Sequence, residues 1–370
     1  MKFDSYMPAR LITGRGAVTA NAAAFAKYGS RCLIVTGGGS AEKSGALADC
    51  VAALNTAGVS YEIYNGIGPN PTTRACFEAG ARANAFGAQF IVGIGGGSPM
   101  DAAKASAIYA ANPEFAEADI YTRAVPAKAL PVLLIGTTAG TGSEVTGVSV
   151  LTLSETGKKK SISGPDCYAA VSFCDYTYTR AMPGGVTQST ALDAFAHAVE
   201  SRLASTSNEL SALYADRAVA LLRPYLPHLT AEWEPKDAVR EALYAASICA
   251  GLAINITGTC FPHTVGYYLT ENYNVPHGLA CIAFMPRLLR RAKEYCPERV
   301  GAIESVLDMH TETLTAMLAR NVRFGFEIGP DEAAAALFPA QIKNFDRTPG
   351  GFTAHDARAA LAGFGSDFAL

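Results

Sequence analysis

The first half of the chain alternates short apolar runs with segments of helical pattern, and this alternation restricts the fold more than any other feature. Four runs carry it: RCLIVT (31–36), VSYEIY (59–64), QFIVGIG (89–95) and LPVLLIG (130–136). Runs that are apolar along most of their length are typical of strands covered on both faces. The alternation therefore predicts a parallel sheet with helices on both faces.

The segments between these runs have helical composition. They predict helices from about Ala41 to Ala57, near residues 73–86 and over residues 96–111. Residues 147–164 instead alternate polar and apolar positions around a polar turn, which predicts a β-hairpin.

The character of the sequence changes after Pro183, because the chain becomes rich in Ala and Leu with helical periodicity and few strand signals. We therefore predict a dinucleotide-binding α/β domain over 1–180 and an all-helical metal and substrate domain over 181–370. The cleft between two such domains is the expected place for an active site.

Composition excludes several classes of partner. The chain has 370 residues, a formal net charge of −3 and no basic block, so we expect neither nucleic acid nor a membrane as a partner. The first residues lack the apolar stretch of a signal peptide. Nine scattered cysteines without a C-x-x-C pair are typical of reduced thiols, and we expect a cytoplasmic enzyme.

Two glycine-rich turns follow predicted strands and open towards helices. Glycines let a backbone approach a phosphate closely, and a helix N-terminus offers free N–H groups. The first turn is not the G-x-G-x-x-G fingerprint, so a simple packing turn remains an alternative, and the second could be a polar surface loop. The candidate cofactor-binding residues are Gly96, Gly97, Ser98 and Asp101 in GIGGGSPMDAAK, and Thr137, Thr138 and Thr141 in GTTAGTGSEVT.

A third glycine-rich turn, TGGGSAEKSG (36–45), follows the first predicted strand. In parallel folds this position usually meets the adenosine ribose, where an acidic residue selects NAD. Here the turn offers Gly38, Gly39 and Ser40, with no carboxylate before Glu42. Small residues and free amides would accept a 2′-phosphate, so we expect NADP to serve at least as well as NAD.

Four residues of the second half form a candidate metal site. Asp193 and His197 are four residues apart in ALDAFAHAVES, a spacing that puts both on one helical face. His263 and His277 lie fourteen residues apart in FPHTVG and VPHG. One carboxylate and three imidazoles suit iron(II) or zinc. Alone, the Asp–His pair could be a solvated ion pair and His263 a core histidine.

Taken together, these segments make the chain resemble the iron-containing (group III) alcohol dehydrogenase family. The resemblance rests on four ordered motifs, GGGSPMDAAK, GTTAGTGSEVT, STALDAFAHAVES and HTVGYYLTENYNVPHG. It implies an N-terminal Rossmann-like nucleotide-binding domain and a C-terminal helical domain that holds iron(II), sometimes zinc.

The resemblance also assigns roles to individual residues. It implies that Asp193, His197, His263 and His277 are the metal ligands and that Gly96, Gly97 and Ser98 contact the pyrophosphate. Thr137, Thr138, Thr141 and Lys160 match positions that line the nicotinamide nucleotide. Lys158 and Lys159 precede Lys160 directly, so the register of that match is open by one residue.

One position departs from many members of the family, which carry a histidine four residues after the first ligand histidine of the second domain. Here that position is Tyr267. A tyrosine can relay a proton only if its pKa falls from the ordinary value of about 10. Tyr267 is therefore a candidate catalytic residue, and the alternative is that it shapes the pocket while water and the cofactor ribose carry the proton.

The resemblance implies a homodimeric oxidoreductase that transfers a hydride between NAD(P)(H) and a small alcohol or aldehyde. An alternative is a dehydroquinate-synthase-like lyase, which also uses a metal and NAD. Such an enzyme needs several Lys and Arg residues near the metal, whereas Phe195, Phe261, Tyr267 and Tyr268 surround the motifs here. A catalytically inactive nucleotide-binding module is a third reading, against which the intact ligand set argues.

Overall fold

A computed structural model describes residues 3–339 and 342–364 of the chain. Its first half contains a six-stranded sheet in the order β1-β8-β5-β4-β2-β3, in which every pair is parallel. Strands β6 and β7 pair separately as an antiparallel hairpin. The strands are β1 (Arg10–Thr13), β2 (Arg31–Val35), β3 (Ser60–Tyr64), β4 (Phe90–Gly95), β5 (Val132–Gly136), β6 (Val148–Thr152), β7 (Lys159–Ser163) and β8 (Val171–Cys174).

Helices cover both faces of this sheet, as the apolar runs predict. The helices of the first half are α1 (Ala23–Ala26), α2 (Ser40–Lys43), α3 (Ala46–Thr56), α4 (Thr73–Phe86) and α5 (Gly97–Ala111). Leu33 and Ile91 face a core built with α4 and α5. Ile34 and Val92, one residue further along the same strands, face the core built with α1 and α3. Side chains alternate along a strand, so a wholly apolar strand serves two cores at once.

The helix expected from Ala41 to Ala57 is two helices in the structure. Gly45 has φ of +82°, a left-handed conformation that glycine adopts without a Cβ clash, and it separates α2 from α3. Strands β1 and β8 were not predicted. Both have only four residues, and their partners lie far away in the sequence.

The buried Lys104 of α5 connects this helix to the hairpin and to the segment before it. The Lys104 ammonium is fully buried and donates to Ser143 Oγ, Thr146 O and Val148 O at 2.8–3.0 Å. The three donors of an ammonium group are thus used, which is how a buried lysine avoids an unpaired charge.

The regular elements of the second half are all helices among the described residues. Its α-helices are α6 (Gly184–Leu203), α7 (Glu209–Leu222), α8 (Asp237–Thr257), α9 (Phe261–Tyr273), α10 (His277–Ile282), α11 (Met285–Tyr295), α12 (Pro297–Leu307), α13 (Thr311–Leu318), α14 (Pro330–Ala335), α15 (Lys343–Arg347) and α16 (Ala354–Ala362). Short 3₁₀ helices lie at Thr19–Asn21, Glu117–Tyr121, Ser143–Val145, Pro165–Cys167, Tyr176–Ala181, Leu226–His228 and Ala319–Asn321. The predicted class, a parallel-sheet α/β part followed by a helical part, is confirmed.

Packing divides the chain into two compact units. Among the described residues, the sheet unit comprises 6–182 with 235–244, and the helical unit comprises 3–5, 183–234, 245–339 and 342–364. The functional boundary at about residue 180 stays a prediction, and the packing adds that 235–244 belongs with the sheet.

Helix α8 is, among the described residues, the one helix long and apolar enough to cross a membrane. Buried core helices pass the same test, and Ala246, Ala250 and Ala253 of α8 are fully buried.

Candidate metal centre and nucleotide-binding turns

Helix α6 places the first two candidate ligands in the interior of the helical unit. Asp193 and His197 are 4% and 6% exposed, and the helix between them is built largely from Ala, which permits close packing on both sides. His197 Nε2 lies 3.8 Å from Asp193 Oδ1. The expected common face of the helix is therefore present, and it is turned inward rather than towards solvent.

Helices α9 and α10 bring the other two histidines to the same carboxylate. His263 Nε2 lies 3.4 Å and His277 Nε2 3.9 Å from Asp193 Oδ1. The ring of His263 stacks on that of His197, with centroids 4.5 Å apart. Three imidazole nitrogens thus surround one carboxylate oxygen, although their helices are separate in sequence.

Two atoms of this cluster have the environment expected of metal ligands. Asp193 Oδ1 and His263 Nε2 are buried, and neither has a hydrogen-bond partner among the described residues. An unpaired buried polar atom costs about 1–3 kcal/mol. Two N or O ligands at about 2.05 Å on one tetrahedral cation are about 3.4 Å apart, which matches the spacing of these atoms. The residues present therefore fit a divalent cation.

The electrostatics keep the carboxylate ionised. Burial alone would raise the pKa of Asp193, but His197, His263 and His277 outweigh it and hold that pKa well below its usual range. An ionised carboxylate and neutral imidazoles are the forms that bind a cation.

Glu200 was missed in the sequence, although it lies on the ligand face of α6, three residues after His197. It is fully buried; its Oε1 lies 2.6 Å from His263 Nδ1 and its Oε2 accepts from the backbone N–H of Cys260 at 2.8 Å. Burial raises the pKa of Glu200. When Nδ1–H of His263 donates to Glu200, the Nε2 lone pair of His263 is left free and faces Asp193. Outer carboxylates orient metal-binding histidines in this way.

Cys281 was also missed. It lies one turn after His277 on α10, is fully buried, and has its Sγ 3.7 Å from His277 Nε2. Burial raises the pKa of its thiol to about 11. Four residues each place one donor atom within 4.8 Å of the other three: Asp193, His263, His277 and Cys281. The spacing of His277 and Cys281 was visible in the sequence, but a single buried thiol is by itself ordinary.

Tyr267, the candidate catalytic residue, lies beside the metal cluster. Its ring stacks on the His277 imidazole with centroids 5.2 Å apart and an interplanar angle of 17°. This contact supports a role in holding His277 in place. Proton relay by Tyr267 stays a prediction.

The first two glycine-rich turns interlock within the sheet unit. A Cβ on Gly96 would lie 3.0 Å from the Thr138 side chain, and one on Gly97 would lie 2.8 Å from that of Thr141. The hydroxyls of Thr137 and Thr138 are buried without a hydrogen-bond partner among the described residues. Unsatisfied hydroxyls beside a helix N-terminus fit a site for a phosphate-bearing cofactor.

Ser98 and Asp101 have partners within the protein. Ser98 Oγ accepts from the backbone N–H of Asn70 at 3.1 Å. Asp101 accepts from Ser143 Oγ at 2.6 Å and from the N–H of Val150 at 2.8 Å, so its carboxylate connects α5 to the second turn and to the hairpin. These bonds give Asp101 a structural task, and direct contact with a cofactor remains a prediction for both residues.

The third turn is open on its outer side. Gly38 and Gly39 have φ of +63° and +74°, and Gly39 precedes α2, which starts at Ser40. Nothing lies within 4 Å of a Cβ built on Gly38. Glu42 and Lys43 are exposed. The turn therefore has room beside Gly38 and carries no carboxylate before α2.

Lys160 lies on the same face of β7 as the core residue Ile162 but is itself exposed, and its ammonium lies 4.3 Å from the centre of the Tyr121 ring. Lys159 points to the opposite face, because side chains alternate along a strand. The two residues between which the sequence match was open, Lys159 and Lys160, therefore lie on opposite faces of β7. The structure gives Lys160 a surface cation–π contact, and its nucleotide role stays a prediction.

Comparison with known proteins agrees with this architecture. A family described as iron-containing alcohol dehydrogenase matches residues 8–176, and the C-terminal part of the Fe-containing alcohol dehydrogenase family matches residues 187–323. The lactaldehyde reductase of Escherichia coli is 30% identical over 310 residues, covering 83% of this chain and 80% of that protein. The NADPH-dependent butanol dehydrogenase of Clostridium saccharobutylicum is 28% identical over 77% of this chain and 74% of its own length.

A solved iron-containing alcohol dehydrogenase from Thermotoga maritima superposes with a TM-score of 0.88 at 30% identity, and all of both chains is covered. The similar proteins are alcohol and aldehyde oxidoreductases, which supports that reading over the lyase alternative. Iron and NAD(P) are the cofactors typical of such enzymes. On its two matched domains and its fold, this chain belongs to the iron-containing alcohol dehydrogenase family.

Proposed function

We propose that Asp193, His197, His263 and His277 bind the divalent cation of this alcohol dehydrogenase. The observation that carries the proposal is the pair of unpartnered buried atoms, Asp193 Oδ1 and His263 Nε2, inside a ring of imidazoles. A buried carboxylate oxygen is stable there only when a cation or a donor completes its contacts.

The surrounding residues hold this set in place. Glu200 fixes the His263 tautomer through Nδ1, and Tyr267 packs on the face of the His277 ring. A bound cation supplies Lewis-acid polarisation of a carbonyl oxygen, and a bound nicotinamide supplies or accepts the hydride. The substrate is a small alcohol or aldehyde, as in the similar oxidoreductases.

We assign the nucleotide to the three glycine-rich turns. Gly96, Gly97 and Ser98 would receive the pyrophosphate, because α5 starts there and its N-terminal N–H groups favour anions. Thr137 and Thr138 would donate their buried hydroxyls to the cofactor. The turn at 38–40 would meet the adenosine ribose and accept a 2′-phosphate.

We further propose that the enzyme is cytoplasmic and homodimeric. All nine cysteines are free thiols, and all but Cys249 are buried, which suits a reducing compartment. Light scattering coupled to gel filtration tests the second point, and a monomer at micromolar concentration would contradict it.

The metal assignment is tested by separate His263→Ala and His277→Ala variants, prepared anaerobically with iron(II). Both should lose most bound iron and most aldehyde reduction with NADPH. His310→Ala is the matched control, because the His310 side chain is 84% exposed and lies outside the cluster. Full iron occupancy in either cluster variant would contradict the assignment, because a residue that can be removed without loss of metal is not a metal ligand.

A further inference from the structure

The fifth donor group of the cluster is a thiol. Cys281 and His277 lie one turn apart on α10, and the sulfur is 3.7 Å from Nε2 of His277. Asp193, His263, His277 and Cys281 form the compact group of four donor atoms. Asp193 Oδ1 and His263 Nε2, which are buried without a hydrogen-bond partner, belong to residues of the same group. The thiol therefore lies beside atoms that a bound cation would satisfy.

Bond lengths decide whether sulfur and nitrogen can share that cation. With a metal–sulfur bond of about 2.3 Å and a metal–nitrogen bond of about 2.05 Å, the two donors are about 3.1 Å apart at a right angle and about 3.6 Å apart at the tetrahedral angle. The observed 3.7 Å lies within about 0.2 Å of that range. A small movement of the Cys281 side chain is enough to complete the bond.

We propose that Cys281 contributes a thiolate ligand to the cation held by Asp193, His197, His263 and His277, which makes the site a mixed oxygen, nitrogen and sulfur centre. The proposal rests on the proposed metal site. On binding, the thiol gives its proton to solvent and the sulfur lone pair forms the new bond. A soft donor shifts preference towards zinc and other thiophilic ions, and its negative charge lowers the electrophilicity of the cation.

The alternative is a weak S–H···N hydrogen bond from Cys281 to His277, which the same distance also allows. The two arrangements differ in spectrum. A thiolate bound to cobalt(II) gives an intense charge-transfer band in the near ultraviolet, whereas cobalt held by nitrogen and oxygen alone gives only weak visible bands.

The test uses the full chain loaded with cobalt(II), with cobalt content measured in the same samples. The wild type should show the charge-transfer band. Cys281→Ala and Cys281→Ser should lose it while retaining cobalt and the visible bands. Cys50→Ala is the matched control, because Cys50 is an equally buried helical cysteine of the sheet unit, and it should keep the band.

A second readout is the number of protons released on zinc binding at constant pH, which should be about one greater for the wild type than for Cys281→Ala. The zinc affinity of Cys281→Ala should also fall at least tenfold. Cobalt bound to the wild type without the charge-transfer band would overturn the thiolate and leave the four-residue site standing. A wild type that binds no cobalt or zinc would overturn both.

Discussion

Gly278→Ala is the substitution that most directly tests how α10 positions the metal cluster. A Cβ on Gly278 would lie 1.9 Å from the carbonyl oxygen of Ser189 and 2.8 Å from the backbone nitrogen of Asp193. Both atoms belong to the backbone of α6, which cannot rotate aside as a side chain would. Packed carbon and oxygen atoms do not approach closer than 3.0 Å, so α10 must move away from α6.

The movement needed is roughly 1 Å, whereas metal–ligand distances tolerate only about 0.2 Å. His277 immediately precedes the substituted residue and must move with it. We expect the affinity for iron(II) to fall at least tenfold. Overpacking of this kind costs about 1–3 kcal/mol, so the free energy of unfolding of the apo protein should fall by a similar amount.

The control is Gly301→Ala in α12, where nothing lies within 4 Å of the added Cβ. Alanine is favoured over glycine inside a helix by about 1 kcal/mol, so this variant should be slightly more stable and bind iron normally. Anaerobic iron titration and urea unfolding monitored by circular dichroism measure both quantities. A folded Gly278→Ala protein with wild-type affinity for iron would refute the reasoning, because it would mean that the position of α10 does not set the His277 ligand.

Three further predictions follow from separate contacts. Glu200→Gln removes the charge that fixes the His263 tautomer, so affinity for iron should fall about 10- to 100-fold, and unchanged affinity in an iron titration would contradict this. NADPH should be used at least as well as NADH, and a wild-type preference for NADH above about tenfold, roughly 1.4 kcal/mol, would show that an unseen discriminator exists. Gly38→Asp should shift kcat/KM towards NADH: the space around Gly38 is open, and Asp is among the residues that most readily adopt its left-handed φ of +63°, at a cost of about 1–2 kcal/mol in stability. Glu304 accepts from the Thr311 N–H, which lowers the pKa of its carboxyl. A lowered pKa adds stability that is fully present above the unfolded value of about 4.3 and is lost as the pH falls through the folded value. Glu304→Gln should therefore reduce the free energy of unfolding by about 1 kcal/mol at pH 7, and urea unfolding should show this difference shrinking as the pH falls below about 4.3; a difference that does not depend on pH would contradict the reasoning.

The sequence predicted those elements whose signals are local. The helix predicted near 73–86 is present as α4, because its pattern follows a clear turn signal at Asn70 and Pro71. Strand β4 was predicted to within one residue, because it is wholly apolar and ends at a glycine turn. Strands β1 and β8 were missed because four residues are too few for a pattern, and pairing between Arg10 and Val171 is a tertiary contact.

The candidate site divides in the same way. The spacing of Asp193 and His197 is local to one helix, so it was visible in the sequence. The roles of Glu200 and Cys281 depend on α6, α9 and α10 meeting in space, which no local pattern encodes. A glutamate on a helix is by default a surface residue, and Glu200 is recognised as an orienting group only because its carboxylate is fully buried against His263.

The partition into two compact units has a consequence for thermal denaturation. The four proposed metal ligands lie in the helical unit, whereas the three glycine-rich turns lie in the sheet unit. A ligand that binds only the folded state stabilises the unit that holds it by about 2.7 kcal/mol at 100 times its Kd. Calorimetry should therefore show iron delaying the melting of the helical unit and NADP(H) delaying that of the sheet unit. Loss of either cofactor would leave one half of the enzyme as the weak point at which heat or a protease begins to open the chain.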